Sequence, residues 1–232
     1  MQTSDLVLVR GWADTRATLA VWNARPWPVI GAWAAGSLAI SVGLLAAVWI
    51  IAGISVPDLT PASFLGRNSD PAVSQVAHVV GRNLLVLALH AMACIAGFIA
   101  GSALPLEAQR RVGASRWVHE RAGPIAILFV IGATGFSLVT QALVLGHGAS
   151  SLGARLGISP GLLLVGLLPH ALPELVALFL PLAAWMIASR RGDWHELLAA
   201  TVVTVLLAVP MLVAAAFVEV YVSPGILHAL AG

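Results

Sequence analysis

Five apolar runs, at 29–54, 83–106, 123–146, 160–189 and 197–222, constrain this chain more than any other feature. Each reaches the roughly 20 residues that an α-helix needs to cross the hydrocarbon core of a bilayer. No water is available there to bond the backbone, so a helix must satisfy its own amides and carbonyls. The expected fold is therefore all-α: a polytopic membrane bundle of five transmembrane helices over 29–232, preceded by a short segment at 1–28. Composition excludes the water-soluble alternative. Of 232 residues, 59% are hydrophobic and 9% charged, against about 25% charged in soluble domains, too little polar surface to coat a globule in water.

The formal net charge of +2 gives no reason to expect a nucleic-acid partner. A single cysteine, Cys94, excludes an internal disulfide or a cysteine-cluster metal site, and its apolar surroundings point to a buried, inert thiol. The first apolar run is long, about 26 residues, and follows a segment bearing Trp12, Trp22, Trp27, Asp14 and Arg16. It is expected to stay as a span rather than to be removed as a signal peptide.

Arginine placement sets the expected orientation, since basic residues accumulate on the cytoplasmic side. Arg10, Arg16 and Arg25 precede the first span, Arg110, Arg111, Arg116 and Arg121 separate the second and third, and Arg190 and Arg191 follow the fourth. The opposite side holds only Arg67, Arg82 and Arg155. Five spans then put the N-terminus in the cytoplasm and the C-terminus outside. From Asp5 to Trp22 apolar residues recur at mostly helical spacing, which suits either a helix lying in the interface plane or one packed on the cytoplasmic end of the bundle. The outer loop at 55–82 is expected to be irregular, with a brief helix from Pro71.

Ionisable residues inside spans are costly unless they pair or meet water, so each is a candidate for function. His170 and Glu174 stand four apart on one helical face of the fourth span, and Pro169, Pro173 and Pro181 interrupt the same span. Pro169 and Pro173 leave the carbonyls of Val165 and Pro169 without helical donors, so a kinked or broken helix with a polar nook is expected. At 1.5 Å per residue His170 lies about 15 Å from the outer boundary, His90 about 10 Å, Gln141 about 8 Å and Glu219 about 5 Å. Together with Asn83 these groups form the expected intramembrane polar cluster. Asn83, His90, Gly97 and Gly101 share a face with Ala93 beside them, and Gly97-x-x-x-Gly101 is a close-packing signal in an apolar helix. That ridge is also where a homo-oligomer is expected, if one forms.

Each feature has a plainer reading beside the functional one. A His and a Glu in a span most often make a structural hydrogen bond between helices; a solvated substrate or proton pathway and a metal or catalytic centre are the alternatives. His170, Glu174, His90 and Glu219 are suitable zinc ligand types, yet no compact H-x-x-x-H or H-E-x-x-H occurs. No metal, no cofactor and no catalytic residue is expected, because a nucleophile and an oxyanion site are missing beside His170 and Glu174. Two mid-span polar classes of function remain: a scaffold for other membrane proteins, and a channel or transporter for a small solute or lipid. A transporter usually shows paired broken helices, whereas only one span here is interrupted by several prolines, so the scaffold is favoured.

Three stretches carry a resemblance: "RNLLVLALHAMACIAGFIAG" at 82–101, "LLPHALPELVALFLP" at 167–181 and "AAFVEVYVSP" at 215–224. They resemble the stage II sporulation protein M family of small polytopic membrane proteins. That family's pattern has an Asn early in the second span, Leu-Pro-His-Gly-x-x-Glu in the fourth, and Glu-(Ala)-(Phe/Tyr)-Val-(Thr/Ser)-Pro in the fifth. Asn83, Pro169, His170, Glu174 and Glu219 through Pro224 match it, while Ala171 replaces the glycine and Pro173 is an additional proline. The resemblance implies a multi-pass protein of the bacterial plasma membrane with envelope proteins, in particular peptidoglycan-remodelling enzymes, as partners beside the lipid bilayer. In spore formers the family belongs to the engulfment machinery.

Overall fold

The structure is a computed structural model that describes residues 7–60, 73–109 and 112–232. Those residues form helices α1 Val7–Ala24, α2 Pro26–Ile54, α3 Val73–Phe98, α4 Leu104–Gln109, α5 Gly113–Leu156, α6 Pro160–Arg191, α7 Leu197–Phe217 and α8 Ser223–Ala231. Two π-helical turns, Ile99–Ala103 and Val218–Val222, join α3 to α4 and α7 to α8, and a 3-10 turn, Trp194–Glu196, precedes α7. No strand occurs among the described residues. Five helical stretches are long and apolar enough to cross a membrane: Pro26–Ile54, Val73–Gln109, Gly113–Leu156, Pro160–Arg191 and Trp194–Ala231. All five expected runs are there, each extended by a few residues to a turn or more. The chain is a multi-pass membrane protein.

Local chemistry sets the helix ends. Pro160 opens α6 behind Ser159, whose hydroxyl accepts the Leu162 amide at 3.2 Å, a proline-led start with a side-chain cap. α5 and α6 both stop on glycines in the left-handed region, Gly157 at φ 69° and Gly192 at φ 77°, where a Cβ would be strained. The two π turns share one layout. Each is followed by one residue and a proline, Leu104-Pro105 and Ser223-Pro224. A proline ring collides with the carbonyl four residues back, and widening the preceding turn to i→i+5 bonding moves that carbonyl aside.

α6 is the centre of the bundle and touches α2, α3, α5, α7 and α8. Residues 177–185 are buried without interruption, so all faces of two turns meet protein rather than lipid. Close approach explains the small residues around it. α7 presents Ala199, Ala200, Ala208, Ala215 and Ala216 as buried positions, and Gly36 of α2 faces Ala183, the usual device where lipid gives no hydrophobic drive to association. α2 turns in a single stripe, Trp33, Ser37, Ser41, Leu44, Val48 and Ala52. Its hydroxyls are satisfied: Ser37 donates to the Val176 carbonyl at 2.5 Å and Ser41 to Ser37 at 2.8 Å. The expected interruption of the fourth span is not a break. α6 runs through Pro169, Pro173 and Pro181 as one continuous helix, with Pro181 buried, Pro173 half-buried and Pro169 exposed.

α1 packs on the end of the bundle where α7 begins, through Gly11, Thr15 and Thr18, with Gly11 against Leu198 and Phe98. Trp22 meets Trp33 edge-on at 5.1 Å, while Trp12 and Val21 stay exposed. One face is thus docked on the spans and the other is left for an interface. At the opposite end the loop after α2 is tied to α5: Ser151 accepts the Asp58 amide at 3.0 Å, and Arg155 donates to the carbonyls of Asp58 and Thr60 at 3.1 and 2.6 Å. Hydrogen bonds from the Thr60 hydroxyl and amide, with Arg155 nearby, hold the Asp58 carboxyl below its ordinary value. A depressed carboxyl lends its support above the ordinary value and loses it as pH falls through the folded one. Proteolysis at the loop should therefore be unchanged from pH 8 to about 5 and accelerate only in stronger acid. Residues 61–72 lie outside the described residues, and the brief helix expected from Pro71 is, from Val73 on, the first turns of α3, so that 73–82 continue the span rather than the loop.

Candidate functional site

Three helices bring the polar residues together in the half of the bundle where α6 starts. α3 and α6 run parallel and in register, so one face of α3 reads down α6. Asn83 comes beside Glu174, His90 beside Leu178 and Phe179, Cys94 beside Pro181, and Gly97 beside Trp185. The fifth span supplies the third side, since α8 lies on Gly166 through Leu227 and Leu230.

His170 is 8% exposed and bonds Ser223 through Nδ1 at 2.6 Å. The Ser223 hydroxyl has one proton and donates it to the Val218 carbonyl at 3.2 Å. Nδ1 must then carry the imidazole proton and donate to Ser223 Oγ, which fixes the neutral tautomer with Nε2 as the remaining acceptor. The π turn is what delivers Ser223. It adds a residue to the helix, and one residue is worth about 100° of rotation at 3.6 residues per turn, so a regular helix would carry Ser223 off the His170 side.

Glu174 faces other groups than its helical neighbour. It lies within electrostatic reach of Glu219 and Arg82 and beside the Asn83 amide. Among the described residues no hydrogen bond or ion pair joins Glu174 to His170. Asn83 is 2% exposed and turned to Glu174, and among the described residues its Nδ2 completes no full hydrogen bond, nor does the enclosed Oε2 of Glu219. The site therefore combines two carboxylates, one amide and one guanidinium at its edge, with a donor and an acceptor both open at its centre. Such a set can hold water, a proton or a small polar group; among the described residues no cluster of three His, Cys, Asp or Glu could hold a metal ion.

The remaining sequence candidates fall elsewhere. His90 packs on Phe179 at 5.5 Å between ring centroids, with Nδ1 enclosed and unpaired. Gln141 donates to Ser137 on its own helix at 3.0 Å, which satisfies it without the cluster. Cys94 is fully buried and donates to the Pro181 carbonyl at 3.1 Å. Gly97 and Gly101, with half-buried Ala93 beside them, are spent inside the bundle. A Cβ on Gly97 would come within 2.6 Å of Trp185 Nε1, and one on Gly101 would enter the Trp194 ring. That ridge faces this chain's own Trp185 and Trp194. Ser223 was legible only as part of Val-Ser-Pro; its hydroxyl's role needs the π turn.

One measurable consequence concerns the His170–Ser223 bond. Ser223→Ala should lower stability by about 1 kcal/mol, and Ser223→Ala combined with His170→Phe should cost clearly less than the sum of the two. Melting of the three variants in detergent gives that coupling; strict additivity would show that the two side chains do not interact.

The family model for stage II sporulation protein M matches residues 122–224. That segment contains His170, Glu174, Glu219 and Ser223, but stops short of Asn83 and the rest of α3. Neither a curated protein nor a solved structure matches the chain. Over that segment, which takes in most of the last three membrane-crossing helices, the chain is similar to the stage II sporulation protein M family.

Proposed function

We propose that this protein is a non-enzymatic membrane scaffold for cell-envelope proteins, with peptidoglycan-remodelling enzymes as the partner class. The observation that carries this reading is α5. It is 44 residues long, about 66 Å at 1.5 Å per residue, and exceeds the roughly 40–45 Å of a whole bilayer. Its apolar window is only 6% buried. Phe129, Phe136 and Val139 stand exposed, and among the described residues nothing comes within 4 Å of where a Cβ on Gly132 or Gly135 would stand. Large apolar side chains flanking bare glycines suit a partner helix that approaches closely. The polar cluster, by contrast, is built into the most tightly packed helix, which suits a structural keystone better than a conduit.

A photo-crosslinking residue at Phe136 tests this in living cells. Discrete adducts with envelope enzymes, absent when the same residue sits at Leu206 of α7, are expected; adducts with lipid alone would reject the scaffold. The same reading places the nine-arginine side in the cytoplasm. Compartment reporters at the two termini should then give opposite answers, and a cytoplasmic signal from both would remove the five-crossing arrangement.

A further inference from the structure

A groove opens sideways between α2, α5 and α6, with a volume of about 610 Å³. Its walls are Ile40, Ile127, Ile131, Leu138, Leu182 and Met186 with the Thr134 hydroxyl among them, and Ser189 and Arg190 come from the last turns of α6 beside Trp194. From Ile127 to Leu138 the groove follows α5 for about 16 Å, which is one leaflet of a hydrocarbon core roughly 30 Å thick. Arg190 is exposed, and among the described residues neither a carboxylate nor a carbonyl pairs with it. Its neighbour Arg191 differs: it lines a separate cleft with Asp193 and Glu196 and lies within electrostatic reach of Glu196.

We propose that this groove is a binding site for one anionic phospholipid, with an acyl chain along α5 and the phosphate on Arg190. An apolar slot one leaflet deep, ending in a single uncompensated cation and an indole, matches a lipid in both shape and charge. Arginine clamps a phosphate through several donors, and basic pockets between spans at the cytoplasmic face select anionic headgroups. A second lateral groove serves as an internal contrast. It is of similar size, about 570 Å³, between α2 and α6, and its lining of Val42, Leu45, Trp49, Leu164, Val165 and other apolar residues has no charge. It can take acyl chains without regard to the headgroup.

The test is native mass spectrometry of the purified protein with phosphatidylglycerol or phosphatidylcholine carrying identical chains. One phosphatidylglycerol should be retained with a roughly fivefold preference, the contribution of one basic residue near an anionic headgroup. Arg190→Gln should abolish the preference and Arg191→Gln should keep it. Ile131→Trp, which fills the slot and leaves the charge, should lose phosphatidylglycerol as well. Equal retention of both lipids by the unaltered protein would overturn the proposal, and that measurement needs no variant to fold. So would displacement of phosphatidylglycerol by glycerol phosphate, which would reduce the site to a surface charge. A photo-crosslinker at Ile131 that captures a second copy or another protein instead of lipid would assign the groove to that occupant.

Discussion

Alanine at Gly123 and Gly146 together should lower the melting temperature in detergent by roughly 5–10 °C, from about 1–2 kcal/mol at each site. Both glycines are points where α5 meets the bundle. A Cβ on Gly123 would stand 2.7 Å from the backbone carbonyl oxygen of Ala100, and one on Gly146 2.6 Å from Ile51 Cβ, with the Val48 carbonyl at 3.2 Å. These obstacles are backbone or backbone-attached atoms, so no rotamer change relieves them and α5 has to move away. The control lies on the same helix. A Cβ on Gly132 or Gly135 would have nothing within 4 Å among the described residues, and alanine there removes a helix penalty of up to about 1 kcal/mol. Gly132→Ala should therefore leave melting unchanged or raise it. Equal effects at the buried and open glycines would mean that α5 does not dock as described.

Glu174→Lys should abolish folded protein in the membrane, while Glu174→Gln should fold and complement a deletion nearly normally. Lysine at a helix centre costs roughly 2.5–3.5 kcal/mol in membrane insertion, and here it would arrive within reach of Arg82. Stabilities of whole domains are only about 5–15 kcal/mol. Glutamine keeps an acceptor beside Asn83 and removes the repulsion between two carboxylates, Glu174 and Glu219. The two outcomes separate structure from chemistry. Glu174→Gln with normal melting and no complementation would show that the carboxylate itself works, as in proton or solute movement, and would count against the scaffold. Loss of folding in Glu174→Gln would show that the charge is structural, most directly through Arg82. Yield and melting are read first, complementation second.

The sequence alone determined the number of spans and most of their ends, because apolar length and glycine or proline punctuation are local properties of a chain in lipid. It also placed His170, His90, Gln141 and Glu219 in one half of the bundle by counting depth along each helix, although Gln141 turns to its own helix and His90 to Phe179. Which of them meet was decided by tertiary structure. His170 and Glu174 are four apart and look like a pair, yet the parallel register of α3 on α6 gives Glu174 to Asn83, and the π turn before Pro224 gives His170 to Ser223. The glycine ridge was legible as a close contact but not as a contact with Trp185 and Trp194, which lie far along the chain. The prolines of α6 were legible as lost hydrogen bonds, while the helix that continues through them was not, and only Pro181 among them is buried by its neighbours. Rotation about a helix axis carries no local signature in an apolar sequence, and only packing fixes it.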